Sequence, residues 1–160
     1  MADSRGFLRH ALATLAYRGN KAIRGVPDDF ATFKASSTSR TPVQILTHIG
    51  DLLEWGLGLA EGTRRGKNSE PLPWDQEVNR FHAELAAFDD FLAGESALAV
   101  PEEKLFQGPI ADALTHVGQL AMLRRIAGLP MRGENYFRAS IEAGRVGPVQ
   151  VAPLPDNEFD

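Results

Sequence analysis

Ala111-Asp112-Ala-Leu-Thr-His116-Val-Gly-Gln119-Leu-Ala-Met-Leu-Arg124-Arg125 is the stretch that decides the fold. Its apolar residues recur almost all the way round a helical projection, which predicts a helix enclosed by neighbours rather than one lying on a surface. At ~100° per residue, Asp112, His116 and Gln119 fall within about 60° of one another, and Leu123 and Ala127 continue the same face. One half of the stripe is polar and ligand-like, and the other half is core. A carboxylate buried beside an imidazole is costly unless the two satisfy each other or share a cation. A metal ion is the natural candidate.

Working outward, the helix around this stretch is expected to open near Pro109 and stop at Gly128, with Arg124 and Arg125 in the last turn, where cations suit the dipole. Upstream, the clearest helix start is Thr41-Pro42-Val43-Gln44. Thr41 is placed to cap, Pro42 suits the first helical position, and Gln44 completes a capping box. That second helix is expected to run to Gly62–Arg65, with Ile45, Leu46, Ile49, Leu52, Leu53 and Leu57 on its apolar arc. His48 lies inside the arc, and Asp51 lies just beyond its edge. A first helix is expected from Asp3 or Ser4 to about Arg24, with His10, Thr14 and Tyr17 on its rim. A third is expected from Gln76 to Ala93, with Asp75 as cap and His82 and Asp89 on a solvated shoulder. Phe30 and Phe33 anchor the irregular connection between the first two helices. A short fifth helix is expected over Glu134–Ala143. The fold class is therefore all-α: a four-helix bundle with crossover connections, a short fifth helix and an extended tail. Residues 1–145 form one domain, and 146–160 form the tail, free to wrap a partner subunit or to hang loose.

The bulk composition narrows the function. In 160 residues, 43% are hydrophobic and 24% charged, with a net charge of −4. This is ordinary for a single folded domain. No basic field suggests nucleic acid, and no apolar run or basic amphipathic face suggests a membrane. The chain has no cysteine, which excludes disulfides, thiolate zinc sites and a cysteine nucleophile from the protein itself. A cytoplasmic location is expected.

Two of the four histidines fall on the faces of the second and fourth helices. His48, Asp112 and His116 would supply two imidazoles and one carboxylate to an ion held between facing helices. Such a set suits zinc, nickel or iron(II). Gln119, another turn along, is placed to orient a ligand or a water on the metal.

The order of helices, with His48 in ILTHIGDLLEW and ADALTHVGQLAMLRRIAGLP as the fourth, resembles the DinB/YfiT-like family over roughly residues 5–145. The resemblance implies a four-helix bundle, commonly homodimeric. It also implies a divalent ion bound by a histidine on the second helix and two on the fourth, where the signature often reads His-x-x-x-His-Arg-Gly-Gln. His116-Val-Gly-Gln119 keeps the second histidine and the Gly-Gln. Asp112 stands where the first histidine belongs, and Val117 replaces the arginine. Asp112 is then either a substituted third ligand or the mark of a lost site, leaving an acid–imidazole pair.

Some relatives implied by this resemblance are transferases or isomerases that use a low-molecular-weight thiol such as mycothiol, bacillithiol or glutathione. The metal there lowers the pKa of the thiol, which attacks a small electrophile. Hydrolysis is the nearest enzymatic variant, with Asp51 as the candidate base. The non-enzymatic alternative is a bundle that binds a small ligand in the same cleft, with Trp55 and Tyr136 lining it, or whose interior is only structural.

Overall fold

The computed structural model describes residues 4–160. Four long helices build the bundle: α1 (Ser4–Ile23), α2 (Pro42–Glu61), α3 (Trp74–Ala93) and α5 (Ala111–Ile126), with a single-turn α4 (Glu102–Leu105) ahead of α5. The proposed start of α1 at Asp3 lies outside the described residues, and Ser4 uses its hydroxyl to donate to Glu102 Oε1 at 2.9 Å. Helices α3 and α5 each pack against both α1 and α2. This places α1 and α2 at opposite corners and leaves α5 flanked by helices on two sides only.

Helix α2 begins as its sequence dictates. Thr41 Oγ1 accepts from the Gln44 amide at 3.4 Å, and the Thr41 amide donates to Gln44 Oε1 at 2.9 Å. This reciprocal cap satisfies two otherwise orphaned donors and contributes about 1 kcal/mol. The helix ends at Gly62, whose φ of 73° is a left-handed conformation that side-chain-bearing residues rarely adopt. Its inner face carries Leu46, Ile49 and Leu53, which meet Leu12, Leu15, Phe81, Leu85, Phe88 and Leu120 in one continuous core. Each such side chain stabilises the fold by roughly 1.5–3 kcal/mol on burial. At Gly56 the backbone of α2 approaches so closely that a Cβ would stand 2.7 Å from Phe88 and 3.0 Å from Pro109.

The helix carrying Asp112 and His116 differs from the sequence expectation in two ways. It does not open at Pro109: the chain is already helical from Glu102 and passes through a π-type turn at Phe106–Ile110 with Pro109 inside it. Proline lacks the N–H that a regular α-turn would use, and a wider turn lets the helix pass it. Nor is α5 enclosed. Ala113, Val117, Leu120 and Leu123 are buried, whereas Asp112, Gln119, Met122 and Ile126 are exposed. A corner helix with two helical neighbours has a free side, whatever the number of its apolar residues.

The C-terminal region departs most from expectation. The expected fifth helix is a single 3₁₀ turn, Tyr136–Arg138, a second such turn lies at Pro155–Asn157, and the tail neither hangs loose nor extends away. It folds back, so that β1 (Gly133–Glu134) pairs antiparallel with β2 (Glu158–Phe159). The physical cause is ionic. Lys21 Nζ, buried on α1, lies 2.7 Å from Glu134 Oε2 and 2.9 Å from Glu158 Oε1, and Tyr17 donates to Glu134 Oε1 at 2.6 Å. Tyr17 is thus interior, not rim, and its hydroxyl pKa is pushed far up, by burial first and then by the Glu134 carboxylate. The tail also covers α3. Val146 is buried against His82, whose Nδ1 lies 3.3 Å from the Val146 carbonyl, and Asp89 is buried under a two-pronged contact from Arg9, with both distances 3.0 Å. The expected solvated shoulder of α3 is therefore a buried seam.

No described helix is long and apolar enough to cross a membrane.

Candidate metal centre

His48 from α2 and His116 from α5 meet where those helices pack. Their rings stand edge to face, with centroids 4.7 Å apart and planes at 83°. Asp112 precedes His116 by one helical turn, which brings Asp112 Oδ1 to 3.3 Å from His116 Nε2. One donor atom from each of His48, Asp112 and His116 lies within 4.8 Å of the others. Both imidazoles are half-buried, while Asp112 is exposed with 48% of its side-chain surface accessible. Asp112 and His116 therefore do not form the buried acid–imidazole pair that a lost site was expected to leave. They form an open pair at the edge of a cleft.

Gln119 supplies the orientation. Its Oε1 accepts from His116 Nδ1 at 2.7 Å. With the proton on Nδ1, a neutral His116 presents a lone pair at Nε2, and that lone pair faces the carboxylate of Asp112. Two acceptors 3.3 Å apart repel unless a proton or a cation lies between them. The donor chemistry fits a divalent ion. Tetrahedral zinc with bonds of about 2.0–2.1 Å sets its ligands about 3.3 Å apart, the spacing at which Asp112 and His116 already stand. Two imidazoles and a carboxylate with free positions beside them equally suit iron(II) or nickel. No protein group among the described residues hydrogen-bonds to the His48 ring. Burial holds the pKa of His48 below its ordinary value, reinforced by His116 and Arg40 and opposed by Asp112 and Asp51. The neutral imidazole is the form a metal takes.

Three clefts meet at His48. The largest, about 510 Å³, is walled by Ser39, Arg40, Ile45, Met122 and Leu123 and reaches His116 and Gln119. A second, of about 380 Å³, runs past Asp51, Trp55 and Asn68. A polar notch of about 160 Å³ adjoins both along Arg40, Gln44, Thr47 and Ser69.

The remaining sequence candidates separate. Asp51 borders the notch, but its oxygens accept from the Ser69 amide at 2.8 Å and from Arg80 at 2.5 Å. Burial pushes its pKa up, yet the Ser69 and Arg80 contacts outweigh burial and hold it below the usual carboxylate range. It is committed to fastening the 63–73 loop and α3 to α2. Trp55 does line a cleft at His48. Tyr136 does not; it packs against Tyr17 at 6.2 Å and under the Arg18 guanidinium at 4.0 Å. His10 is exposed on α1. The residue that sequence reasoning missed is Arg40. It immediately precedes the Thr41 cap, so the capping box fixes where it leaves the helix, but no periodicity marks it.

Comparison of the chain with family models, with characterised proteins and with solved structures finds no match.

Proposed function

We propose that His48, Asp112 and His116 form a divalent-metal centre of the DinB/YfiT-like kind, in a protein that acts on a small molecule held in the adjoining cleft. The observation that carries this reading is the convergence of three donors from two facing helices, with Asp112 Oδ1 3.3 Å from His116 Nε2 and Gln119 against the other ring nitrogen. When bound there, zinc, nickel or iron(II) supplies Lewis acidity, lowering the pKa of a thiol or a water beside it. The protein's own residues provide the rest. Gln119 accepts from the His116 ring, burial holds the His48 pKa below its ordinary value, and Ile45, Met122 and Leu123 give the cleft an apolar wall beside the centre.

Among metal-dependent activities, the resemblance favours thiol-dependent S-transfer or isomerisation. The absence of cysteine is compatible with it, since the nucleophile would arrive with a low-molecular-weight thiol. A homodimer accompanies this reading through the resemblance, and a cytoplasmic location is proposed beside it. A non-catalytic ligand-binding bundle is the alternative, and the partly apolar walls of the cleft favour it if the centre holds no metal.

The test is elemental analysis of untagged protein beside His48→Ala, His116→Ala and Asp112→Ala. About one equivalent of transition metal is expected in the native protein and little in the histidine variants. Asp112→His should hold metal more tightly than the native chain. No metal in any form after dialysis against zinc and nickel, or unchanged content in both histidine variants, overturns the assignment.

A further inference from the structure

The largest cleft at the centre is lined by one permanently charged cation, Arg40, which also borders the adjoining notch. Arg40 and His48 border the same cleft and the same notch. Asp51, which borders the notch, is held by Arg80 and Ser69, and Asp112 stands against His116 rather than against Arg40. Arg80 shows the contrast: three carboxylates, Asp51, Glu54 and Glu77, surround it. Arg40 is exposed, and among the described residues no carboxylate pairs with it. The same cleft is apolar along Ile45, Met122 and Leu123, with Met122 58% exposed.

An unpaired planar cation beside an apolar wall, both bordering one donor cluster, is a recognition pattern with a definite partner. A single guanidinium matches a single carboxylate in charge and in its two-pronged geometry. Exposed methionine accommodates apolar groups of varied shape.

We infer that the cleft selects small amphipathic carboxylates, with the carboxylate on Arg40, the apolar body along Ile45, Met122 and Leu123, and the reactive end toward His48 and His116. This deepens the reading of the site as a small-molecule centre and rests on it for the reactive end only; recognition by Arg40 does not require the metal.

The test separates the two. Metal-free full-length protein is titrated calorimetrically with 3-phenylpropanoate and with its neutral amide, and the titration is repeated with Arg40→Gln and Arg40→Lys. The native protein should bind the acid about three- to tenfold more tightly than the amide, the range for a solvent-accessible charge-assisted pair. Arg40→Gln should bind both alike, Arg40→Lys should keep part of the preference, and added salt should narrow it. Shifts of the Met122 methyl and the His48 ring in NMR spectra should locate the acid in this cleft. Equal affinities in the native protein, a preference that survives Arg40→Gln, or no binding of either compound overturns the inference. Elemental analysis of the same samples reports on the metal separately, because Arg40 donates nothing to it.

Discussion

Gln119 Oε1 lies 2.7 Å from His116 Nδ1, one turn further along α5, and this contact decides which nitrogen of the imidazole is free. A helix gives a residue at i+3 this reach without any help from the rest of the fold. Gln119→Leu removes the acceptor and leaves the ring free to turn or to change tautomer. Metal affinity should fall about 10–100-fold, the usual cost of losing such an outer partner. Gln119→Glu, which keeps an acceptor at the same position, should bind at least as tightly as the native chain. Competition with a chromophoric chelator measures both, and an unchanged affinity in Gln119→Leu would show the contact to be incidental.

The second prediction concerns the clamp between α1 and the tail. Glu134 has no accessible side-chain surface and holds both Lys21 and the Tyr17 hydroxyl. Glu134→Ala strands the Tyr17 phenol and leaves the buried Lys21 ammonium with Glu158 alone, and breaking a buried pair in this way costs up to about 3–5 kcal/mol. Replacing both charges, Lys21→Met with Glu134→Leu, avoids the half-paired cation and should recover much of that loss. Urea denaturation of the three variants compares them. A double variant as unstable as Glu134→Ala would mean that the tail is held mainly by contacts other than this pair.

The bundle was legible because its signals are local. The Thr41–Gln44 box, the apolar arc of α2 and the stop at Gly128 each act within a few residues, and the structure shows them where the sequence sets them. The placement of Asp112, His116 and Gln119 on one face follows from helical geometry alone. That His48 meets them depends on α2 and α5 being neighbours, which no local pattern encodes. The tail was illegible for the same reason. Glu134 reads as a helix opener in isolation, yet Lys21, 113 residues away along the chain, draws it into a strand. His82 and Asp89 look like a solvated edge because periodicity describes α3 but neither the Val146 segment that covers His82 nor Arg9 of α1, which covers Asp89. Pro109 reads as a helix start by the same local logic, and only the helical turns before it turn it into the middle of a π-type turn.

His82 carries the pH-dependent prediction. Burial holds its pKa below the ordinary value of 6.5, and the Val146 carbonyl, accepting from Nδ1, offsets only part of that effect. Its Nε2 is buried without a partner. In the unfolded chain His82 takes up a proton near pH 6.5, whereas in the native protein it resists until lower pH. Between those two values the unfolded state binds more protons, so stability rises with pH and falls as the solution is acidified. Above about pH 7.5 both states are neutral at this residue and the contribution vanishes. His82→Gln keeps a donor for the Val146 carbonyl and removes the titration. Chemical denaturation at pH 7.5, 6.5 and 5.5 should therefore show the native chain losing stability more steeply than His82→Gln over that window. Asp51, whose pKa is held low, adds its own loss only at more acidic pH, so it does not blur the comparison. Parallel stability profiles for the two proteins would show that the seam between α3 and the tail opens to water before His82 titrates.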